Sequence, residues 1–212
     1  MDNYQETFDT WNKVADIYQD KYMHMDLYNE TYNFICDSIT TPHANLLEVG
    51  CGPGNIAKYL LSKRPDFNIH AIDIAPNMIA LAQKNNPTAT CSVMDSRKIH
   101  ELTTTFDGII CGFSLPYLSE SDSEKVIADA SGLLNSGGLI YISFVEGEPE
   151  QSCFHTASTG ERVFFHYYNL DRLQTLLAKN DFEHMQVFKV QFERSATVTE
   201  IHTVLTARKK QA

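Results

Sequence analysis

The sequence lacks long hydrophobic runs. No stretch of about 18 apolar residues, the length that a membrane-spanning helix needs, occurs anywhere in it. The first segment, MDNYQETFDTWNKVADIY, is polar and amphipathic and has no apolar signal-peptide core. We therefore expect a soluble cytoplasmic protein with no membrane partner.

Paired cysteines are also lacking. The five cysteines stand singly, and no CxxC pair is present. Because structural zinc sites commonly use such pairs, a zinc knuckle is not indicated, and we expect no bound metal. Isolated thiols of this kind fit a reducing compartment.

Basic residues are scarce. The 212 residues include 17 Lys and Arg against 27 Asp and Glu, which gives a formal net charge of -10. Such a chain repels a phosphate backbone on average, so nucleic acid is a poor candidate substrate. The hydrophobic content of 43% is ample for one folded domain with a buried core. We expect a monomer or a homodimer.

Strands alternate with helices through the middle of the chain. The predicted strands are Leu46–Val49, Asn68–Asp73, Ala89–Met94, Phe106–Cys111 and Leu139–Val145, and the predicted helices are Asn55–Ser62, Asn77–Lys84 and Ser121–Leu134. This alternation predicts right-handed βαβ crossovers and a parallel sheet.

The two ends of the chain differ from this core. Residues 8–39 carry apolar side chains at helical spacing, among them Trp11, Tyr18 and Tyr22, and predict an N-terminal helical cap or lid over residues 1–41. Packing against the sheet is the alternative for Trp11. Residues 42–145 form the predicted cofactor-binding core, and residues 146–212 the substrate-side segment with the C-terminal strands.

A pair of strands is predicted near the C-terminus. A helix over Asn169–Asn180 precedes the strand-like segments Phe182–Phe192 and Thr197–Ala207, and the gap between these is too short for a crossover helix. The pair therefore predicts an antiparallel hairpin at or near the sheet edge. The expected fold is α/β: a Rossmann-like, seven-stranded, mostly parallel sheet with helices on both faces.

A glycine turn follows the first predicted strand in the segment LLEVGCGPGNIAKYL. Gly50, Gly52 and Gly54 alternate there, and because glycine has no Cβ, a ligand can lie directly against the backbone. Such a turn presents free N–H groups at the carboxyl edge of a sheet, where open α/β folds bind nucleotides. A dinucleotide fingerprint needs its last glycine where Asn55 stands, so the spacing argues against NAD.

The run EVGCGPG resembles motif I of the class I S-adenosylmethionine-dependent methyltransferases. The similarity continues in the family's order through HAIDIAPNMIALAQ, CSVMDS, FDGIICGFSLPYL and LLNSGGLIYIS, and covers roughly residues 40–145. The resemblance implies a methyltransferase that uses S-adenosyl-L-methionine. It also implies that Asp73 binds the ribose hydroxyls and that Asp95 faces the adenine amino group. The structural alternatives are a helix N-cap for Asp73 and a turn cap for Asp95.

The residues expected to contact the cofactor lie in the glycine turn or at strand ends. They are Glu48, Gly50, Cys51, Gly52, Asp73, Ile74, Met78, Asp95, Ser96, Cys111 and Phe113. Glu48 is an acid inside an apolar strand, and a buried carboxylate needs donors, which loop N–H groups or the cationic end of the cofactor can supply. Core packing is an alternative for Ile74, Met78 and Phe113.

The acceptor side carries weaker signals. The loop CGFSLPYL departs from the Asn/Asp-Pro-Pro-Phe/Tyr pattern of the family members that methylate nucleobases or glutamine, which argues against those acceptors. The candidate catalytic residues are Tyr117 in this loop and His155 and His166 in an aromatic-rich segment, the two histidines as bases. A packing role is the alternative for each histidine.

The most direct interpretation is methyl transfer to a small molecule. Three other functions stay open at this point: a NAD-dependent oxidoreductase, a non-catalytic S-adenosylmethionine-binding regulatory module, and a protein methyltransferase, for which the acidic net charge would suit a basic peptide.

Overall fold

The computed structural model describes residues 3–156, 160–195 and 198–211. The α-helices in these ranges are α1 (Asn3–Lys13), α2 (Ala15–Tyr22), α3 (Asn29–Ser38), α4 (Asn55–Lys63), α5 (Pro76–Asn85), α6 (Glu120–Leu133) and α7 (Leu170–Lys179). The strands are β1 (Asn45–Val49), β2 (Asn68–Asp73), β3 (Thr90–Val93), β4 (Phe106–Gly112), β5 (Leu134–Val145), β6 (Cys153–Thr156), β7 (Arg162–Phe165), β8 (Phe182–Ser195) and β9 (Val198–Lys209). The predicted strand start at Thr197 lies outside the described residues.

Seven strands form one sheet in the order β3-β2-β1-β4-β5-β9-β8. The first five are parallel, and Leu47 pairs with both His70 and Ile109 in the centre. Strand β9 runs antiparallel to β5 and to β8, so it lies between β5 and the edge strand. The predicted fold class, a mostly parallel Rossmann-like sheet with an antiparallel C-terminal hairpin, is confirmed.

The parallel strands are buried on both faces, which is why they read as continuous apolar runs. Leu46 and Leu47 are both fully buried but point to opposite faces, because side chains alternate along a strand. Helices α3, α4 and α5 cover the Leu46 face, and α6 and α7 cover the Leu47 face. Each such buried leucine contributes roughly 1.5–3 kcal/mol of transfer free energy.

The N-terminal region differs from the single helical stretch that the spacing predicts. It forms three helices, with breaks at Val14 and between Met23 and Tyr28. The physical reason is that its apolar side chains have different partners. Trp11 and Tyr18 pack with the start of α5, whereas the side chains of α3 pack on the sheet.

A second finding is a small antiparallel hairpin, β6–β7, within the segment predicted to lie on the substrate side. Helix α1 is fastened to it: the N–H of Phe164 donates to Thr7 Oγ1 at 3.0 Å, and Lys13 forms an ion pair with Glu161. The N–H of Asn77 at the start of α5 donates to Asn12 Oδ1 at 2.8 Å. Helix α1 therefore bridges the hairpin and the sheet at its carboxyl edge.

Among the described residues, no helix combines the length and the apolar character that a membrane crossing requires. The same ranges contain no group of three or more His, Cys, Asp or Glu side chains placed to bind a metal ion.

Candidate active site

The glycine turn after β1 has left-handed backbone at all three glycines, with φ of 71° at Gly50, 53° at Gly52 and 79° at Gly54. A Cβ on Gly54 would lie 2.4 Å from Asn86 Nδ2, so this glycine lets α4 pack against the end of α5. A Cβ on Gly52 would meet nothing closer than Tyr18 Cε1 at 3.7 Å. Gly52 therefore has room for close contact, with the side chains of Tyr18 and Met78 as its neighbours.

Asp73, at the end of β2, is joined to this turn. Its Oδ2 accepts the Gly52 N–H at 2.9 Å, and its Oδ1 accepts the Ala75 N–H at 2.9 Å. Burial raises the pKa of Asp73, while these two N–H groups oppose the rise. The bond to Ala75 closes a turn before α5, whose N-cap is Ala75 and has no side-chain cap, so Asp73 is not the helix N-cap considered above. The bond to Gly52 ties the carboxylate to the glycine turn.

Glu48 lies in β1 with only 2% of its surface exposed. Neither carboxylate oxygen has a hydrogen-bond partner within the described residues. Burial raises the pKa of Glu48 to about 8; the backbone N–H of Ala57 opposes the rise although it does not meet the geometry of a hydrogen bond, and the charge of nearby Asp73 adds to it. An unpaired buried carboxylate is costly, so this position suits a ligand that brings a positive charge or hydrogen-bond donors.

Asp95 caps the short 3₁₀ helix Ser96–Glu101 by accepting the Arg97 N–H at 2.9 Å. The Arg97 guanidinium also contacts both of its carboxylate oxygens, at 2.6 to 3.0 Å. Burial disfavours its charge, but the hydrogen bonds from Arg97 outweigh this and lower the pKa of Asp95. The carboxylate is therefore held ionised at the end of β3.

Two adjoining cavities open at the carboxyl edge of the sheet. The Asp73 cavity, about 100 Å³, is lined by Asp73, Ile74, Met78, Asp95 and Ser96. The Glu48 cavity, about 530 Å³, is lined by Glu48 and Cys51 and extends to the N-terminal helices, the β6–β7 hairpin and the β8–β9 pair. Seven residues line both cavities: Trp11, Tyr18, Gly50, Gly52, Gly112, Phe113 and Tyr117.

The structure brings together ten of the eleven residues predicted to contact the cofactor. Cys111 is the exception, because it lines neither cavity and packs in the core on the Leu47 face. Burial raises the pKa of its thiol to about 12. The reason is strand alternation: the neighbouring Gly112 points to the cavities, so Cys111 points away from them.

Of the candidate catalytic residues, Tyr117 and His155 line the Glu48 cavity and His166 does not. Burial raises the pKa of Tyr117 well above its usual value and lowers that of His155. The ring of His166 lies 4.7 Å from that of Phe164 and faces a separate surface groove between α6 and α7. Phe165, which lies between Phe164 and His166 in the sequence, faces the Glu48 cavity instead. Alternation along the strand therefore directs His166 away from that cavity.

A polar group in the Glu48 cavity was not predicted from the sequence. Tyr28 Oη lies 2.5 Å from His202 Nδ1, and His202 Nε2 lies 3.6 Å from Glu200 Oε2. Glu200 Oε1 in turn accepts from Arg194 at 2.8 Å. Glu200 and His202 stand two apart on β9, and this spacing on a predicted strand was the available signal that they share a face.

Phe113 joins the two cavities. Its φ is 53°, which is unusual for a residue with a side chain, and its N–H donates to Ser143 Oγ at 2.9 Å. The ring lies 5.4 Å from that of Tyr28 and 4.9 Å from that of His202. The backbone after β4 is therefore turned so that an aromatic ring stands beside the Tyr28–His202 pair.

The chain matches known proteins along most of its length. Residues 46–138 match the model of a methyltransferase domain. A methyltransferase of Bacillus cytotoxicus is 26% identical over 195 residues, which covers 86% of this chain and 87% of that one. These matches support an S-adenosylmethionine-dependent methyltransferase.

Solved structures of methyltransferases have the same fold as this chain. A S-adenosylmethionine-dependent methyltransferase of Methanosarcina mazei superposes with a TM-score of 0.69 at 18% identity, over 84% of this chain and 98% of that one. The magnesium protoporphyrin IX methyltransferase of Synechocystis with bound S-adenosylhomocysteine superposes with a TM-score of 0.76 at 14% identity, over 99% and 100% of the two chains.

The site of the methyltransferase fits its cofactor, S-adenosylmethionine. The orphaned carboxylate of Glu48 suits the cationic end of that molecule, and the room at Gly52 suits close approach to the backbone. The Asp73 carboxylate lines the adjoining cavity, where vicinal hydroxyls can donate to it. The two cavities thus offer acidic groups to the amino-acid end and to the ribose of one molecule.

Proposed function

We propose that the methyltransferase acts on a small molecule bound in the Glu48 cavity. The observation that carries the proposal is the construction of this cavity. Its walls come from the N-terminal helices, the β6–β7 hairpin and the β8–β9 pair. Its volume of about 530 Å³, which the acceptor would share with the amino-acid end of the cofactor, lies within the range of roughly 300–1,000 Å³ of small-molecule sites. Lining rings include Trp11, Tyr18 and Phe165, which suits a small, largely apolar acceptor.

On the donor side, the proposed cofactor contacts follow the chemistry of each group. Asp73 would accept hydrogen bonds from the ribose hydroxyls, and Glu48 would face the cationic amino-acid end. Gly50, Cys51 and Gly52 would present backbone to the ligand. Ile74, Met78, Asp95, Ser96 and Phe113 would enclose the adenine end.

When bound, S-adenosylmethionine supplies a methyl group on a positively charged sulfur, and the sulfur is the leaving group when a nucleophile takes the methyl group. The chain's contribution is then to orient the acceptor and to exclude water. Tyr117 and Trp11 line both cavities and lie ring to ring at 5.1 Å, so they would shield the point where the cavities meet. His155 lines the Glu48 cavity, and its Nε2 lies 3.3 Å from the Tyr167 hydroxyl. Held in this way, it would orient the acceptor from the hairpin.

The proposed division of the chain follows these roles. Residues 1–41 would cap the site, residues 42–145 would bind the cofactor, and residues 146–212 would supply the substrate side, all within one domain. The ties of α1 to the hairpin and to α5 support the capping role.

The test uses the cofactor labelled with tritium in its methyl group. The protein is incubated with a cell lysate and the labelled cofactor, and the products are separated into a low-mass filtrate and a protein fraction. We expect label in the filtrate, in an amount that depends on the enzyme. The Asp73→Ala variant, with its weakened cofactor site, serves as the control and should transfer little.

Two results would contradict the proposal. Label that accumulates in the protein fraction would indicate a protein methyltransferase. Tight binding of S-adenosylhomocysteine without transfer to either fraction would indicate a regulatory module.

A further inference from the structure

The polar group formed by Tyr28, His202, Glu200 and Arg194 has no role in the contacts proposed above, although its members lie close to one another in the fold. His202 is 7% exposed and Tyr28 is 7% exposed, so their 2.5 Å contact is buried. Phe192 stacks on the His202 ring at 4.6 Å with an interplanar angle of 16°. Tyr28, which precedes α3, and His202 on β9 are 174 positions apart, so the fold alone brings them together.

The surroundings of His202 assign its tautomer. Glu200 lies 3.6 Å from Nε2 and is itself paired with Arg194, so it acts as a carboxylate and favours a proton on Nε2. Nδ1 then carries a lone pair, and the Tyr28 hydroxyl donates to it. The oxygen of Tyr28 keeps its own lone pairs, which are available to a molecule in the Glu48 cavity.

We propose that Tyr28, His202 and Glu200 form a proton relay that deprotonates the acceptor hydroxyl of a planar, uncharged ring. Tyr28 contacts the acceptor, His202 accepts the proton through Tyr28, and Glu200 positions His202. The inference rests on the proposed small-molecule function and specifies its acceptor.

The step balances in atoms and charge. The acceptor O–H bond breaks as its proton passes to Tyr28 Oη, and the Tyr28 proton passes to His202 Nδ1. The acceptor oxygen forms its bond to the methyl carbon while the carbon–sulfur bond breaks, with that electron pair left on sulfur. The proton then leaves His202 past Glu200, whose side chain is 21% exposed, to solvent.

The walls of the Glu48 cavity favour a neutral aromatic acceptor. The rings of Tyr28, Phe113 and His202 contact one another at 4.9 to 6.1 Å and form a continuous aromatic wall. Two cations line the cavity: Arg194 is paired with Glu200, and the Lys21 ammonium lies over the Tyr22 ring at 4.9 Å, on the wall formed by α2. Neither belongs to the aromatic wall around Tyr28 and His202. A phenol-like hydroxyl also needs a base, unlike a carboxylate, which is already ionised at neutral pH.

The groups around His202 keep its imidazole uncharged, so that it can accept a proton. From β9 it faces Glu200, from β8 Arg194, and from the segment before α3 Tyr28; Phe113 and Phe192 supply the apolar contacts. Burial lowers the pKa of His202 below its ordinary 6.5, against the opposing effect of Glu200. His202 is therefore neutral and able to accept a proton at neutral pH.

The first test reads the tautomer of His202 by long-range ¹H–¹⁵N NMR on protein saturated with S-adenosylhomocysteine. The His202→Gln variant assigns the signal among the eight histidines. We expect an unprotonated Nδ1 and a protonated Nε2 in the wild type, and loss of this preference in Glu200→Gln. A protonated Nδ1 in the wild type overturns the relay.

The second test uses 4-nitrophenol, whose phenolate is coloured, as the acceptor probe in the same saturated protein. An apolar cavity alone would raise the pH at which the bound phenol ionises, whereas a relay lowers it. We expect the wild type to lower this pH by at least about one unit, a tenfold change in proton concentration, and Tyr28→Phe and His202→Gln to abolish the effect. His184→Asn, which changes an exposed histidine of β8, is the matched control.

The outcomes separate the two proposals. A wild-type protein that binds S-adenosylhomocysteine but leaves the probe unbound or ionised as in water overturns the relay, as does an effect that survives in Tyr28→Phe. Failure of the wild type to bind S-adenosylhomocysteine would instead contradict the proposed cofactor contacts. Both wild-type measurements stand even where a variant fails to fold.

Discussion

The N–H of Gly52 donates to Asp73 Oδ2 at 2.9 Å, so the glycine turn after β1 and the acid at the end of β2 form one unit. The bond fixes one oxygen of the carboxylate and directs the side chain into the Asp73 cavity. A change at either residue therefore affects the geometry of the other, and this coupling guides the first two predictions.

Asp73→Ala is expected to weaken the binding of S-adenosylhomocysteine by on the order of 1–3 kcal/mol, because charge-assisted hydrogen bonds to hydroxyls are lost. Isothermal titration calorimetry measures the change. Asp66→Asn is the matched control, since Asp66 pairs with Arg64 before β2 and lines neither cavity. Equal affinity in wild type and Asp73→Ala would remove the ribose assignment.

Gly52→Ala and Gly54→Ala are expected to have different consequences although both glycines have positive φ. The Gly54 Cβ would collide with Asn86, so this variant should lose on the order of 1–3 kcal/mol of unfolding free energy. The Gly52 Cβ would touch Tyr18 and Met78 without a collision and would project where both cavities meet the turn, so this variant should lose roughly tenfold or more in cofactor affinity. Urea unfolding and calorimetry compare the two, and identical profiles would contradict the distinction.

Glu48→Gln is expected to stabilise the ligand-free protein at high pH. Burial raises the pKa of Glu48 from 4.5 to about 8, so stability that is fully present below pH 4.5 is lost as the pH rises towards 8. The glutamine variant avoids this loss, which is on the order of 3–5 kcal/mol. Urea unfolding at about pH 5 and about pH 9 measures the gap, with exposed Glu101→Gln as the control. A gap that does not grow with pH would refute the burial argument.

Trp11 is expected to report cofactor binding. It is the only tryptophan in the sequence, it lines both cavities, and its Nε1 is buried with no hydrogen-bond partner among the described residues. Saturation with S-adenosylhomocysteine should shift its fluorescence emission, and Trp11→Phe should abolish the signal while leaving binding measurable by calorimetry. An unchanged emission during proven binding would mean that Trp11 only packs against the sheet.

The donor half of the site could be predicted because its signals are local. The turn Gly50 to Gly54 and the acids Asp73 and Asp95 each stand at a strand end that the hydrophobic pattern marks, and parallel strands bring such ends to one edge. Cys111 was expected among the cofactor contacts and also stands near this edge, but its side chain packs in the core and lines neither cavity, whereas the neighbouring Gly112 lines both.

The acceptor half depends on contacts between distant parts of the chain. The pairing of Tyr28 with His202 requires that β9 insert between β5 and β8, and no local pattern states that order. The breaks in the N-terminal helices also follow from tertiary packing, because the stripe continues across them. Spacing and the family resemblance therefore pointed to residues that the fold gathers at one edge of the sheet, and they left the acceptor side undetermined.

The residues that line the two cavities come from different parts of the chain. The segment that matches the methyltransferase domain ends at residue 138, while Tyr28, His155 and His202 lie outside it. Phe113 and Tyr117, however, lie inside the matched segment, and both line the two cavities. The segment also ends within β5. For protein engineering, a chimera that exchanges only the flanks would therefore combine residues of both parents in one acceptor wall.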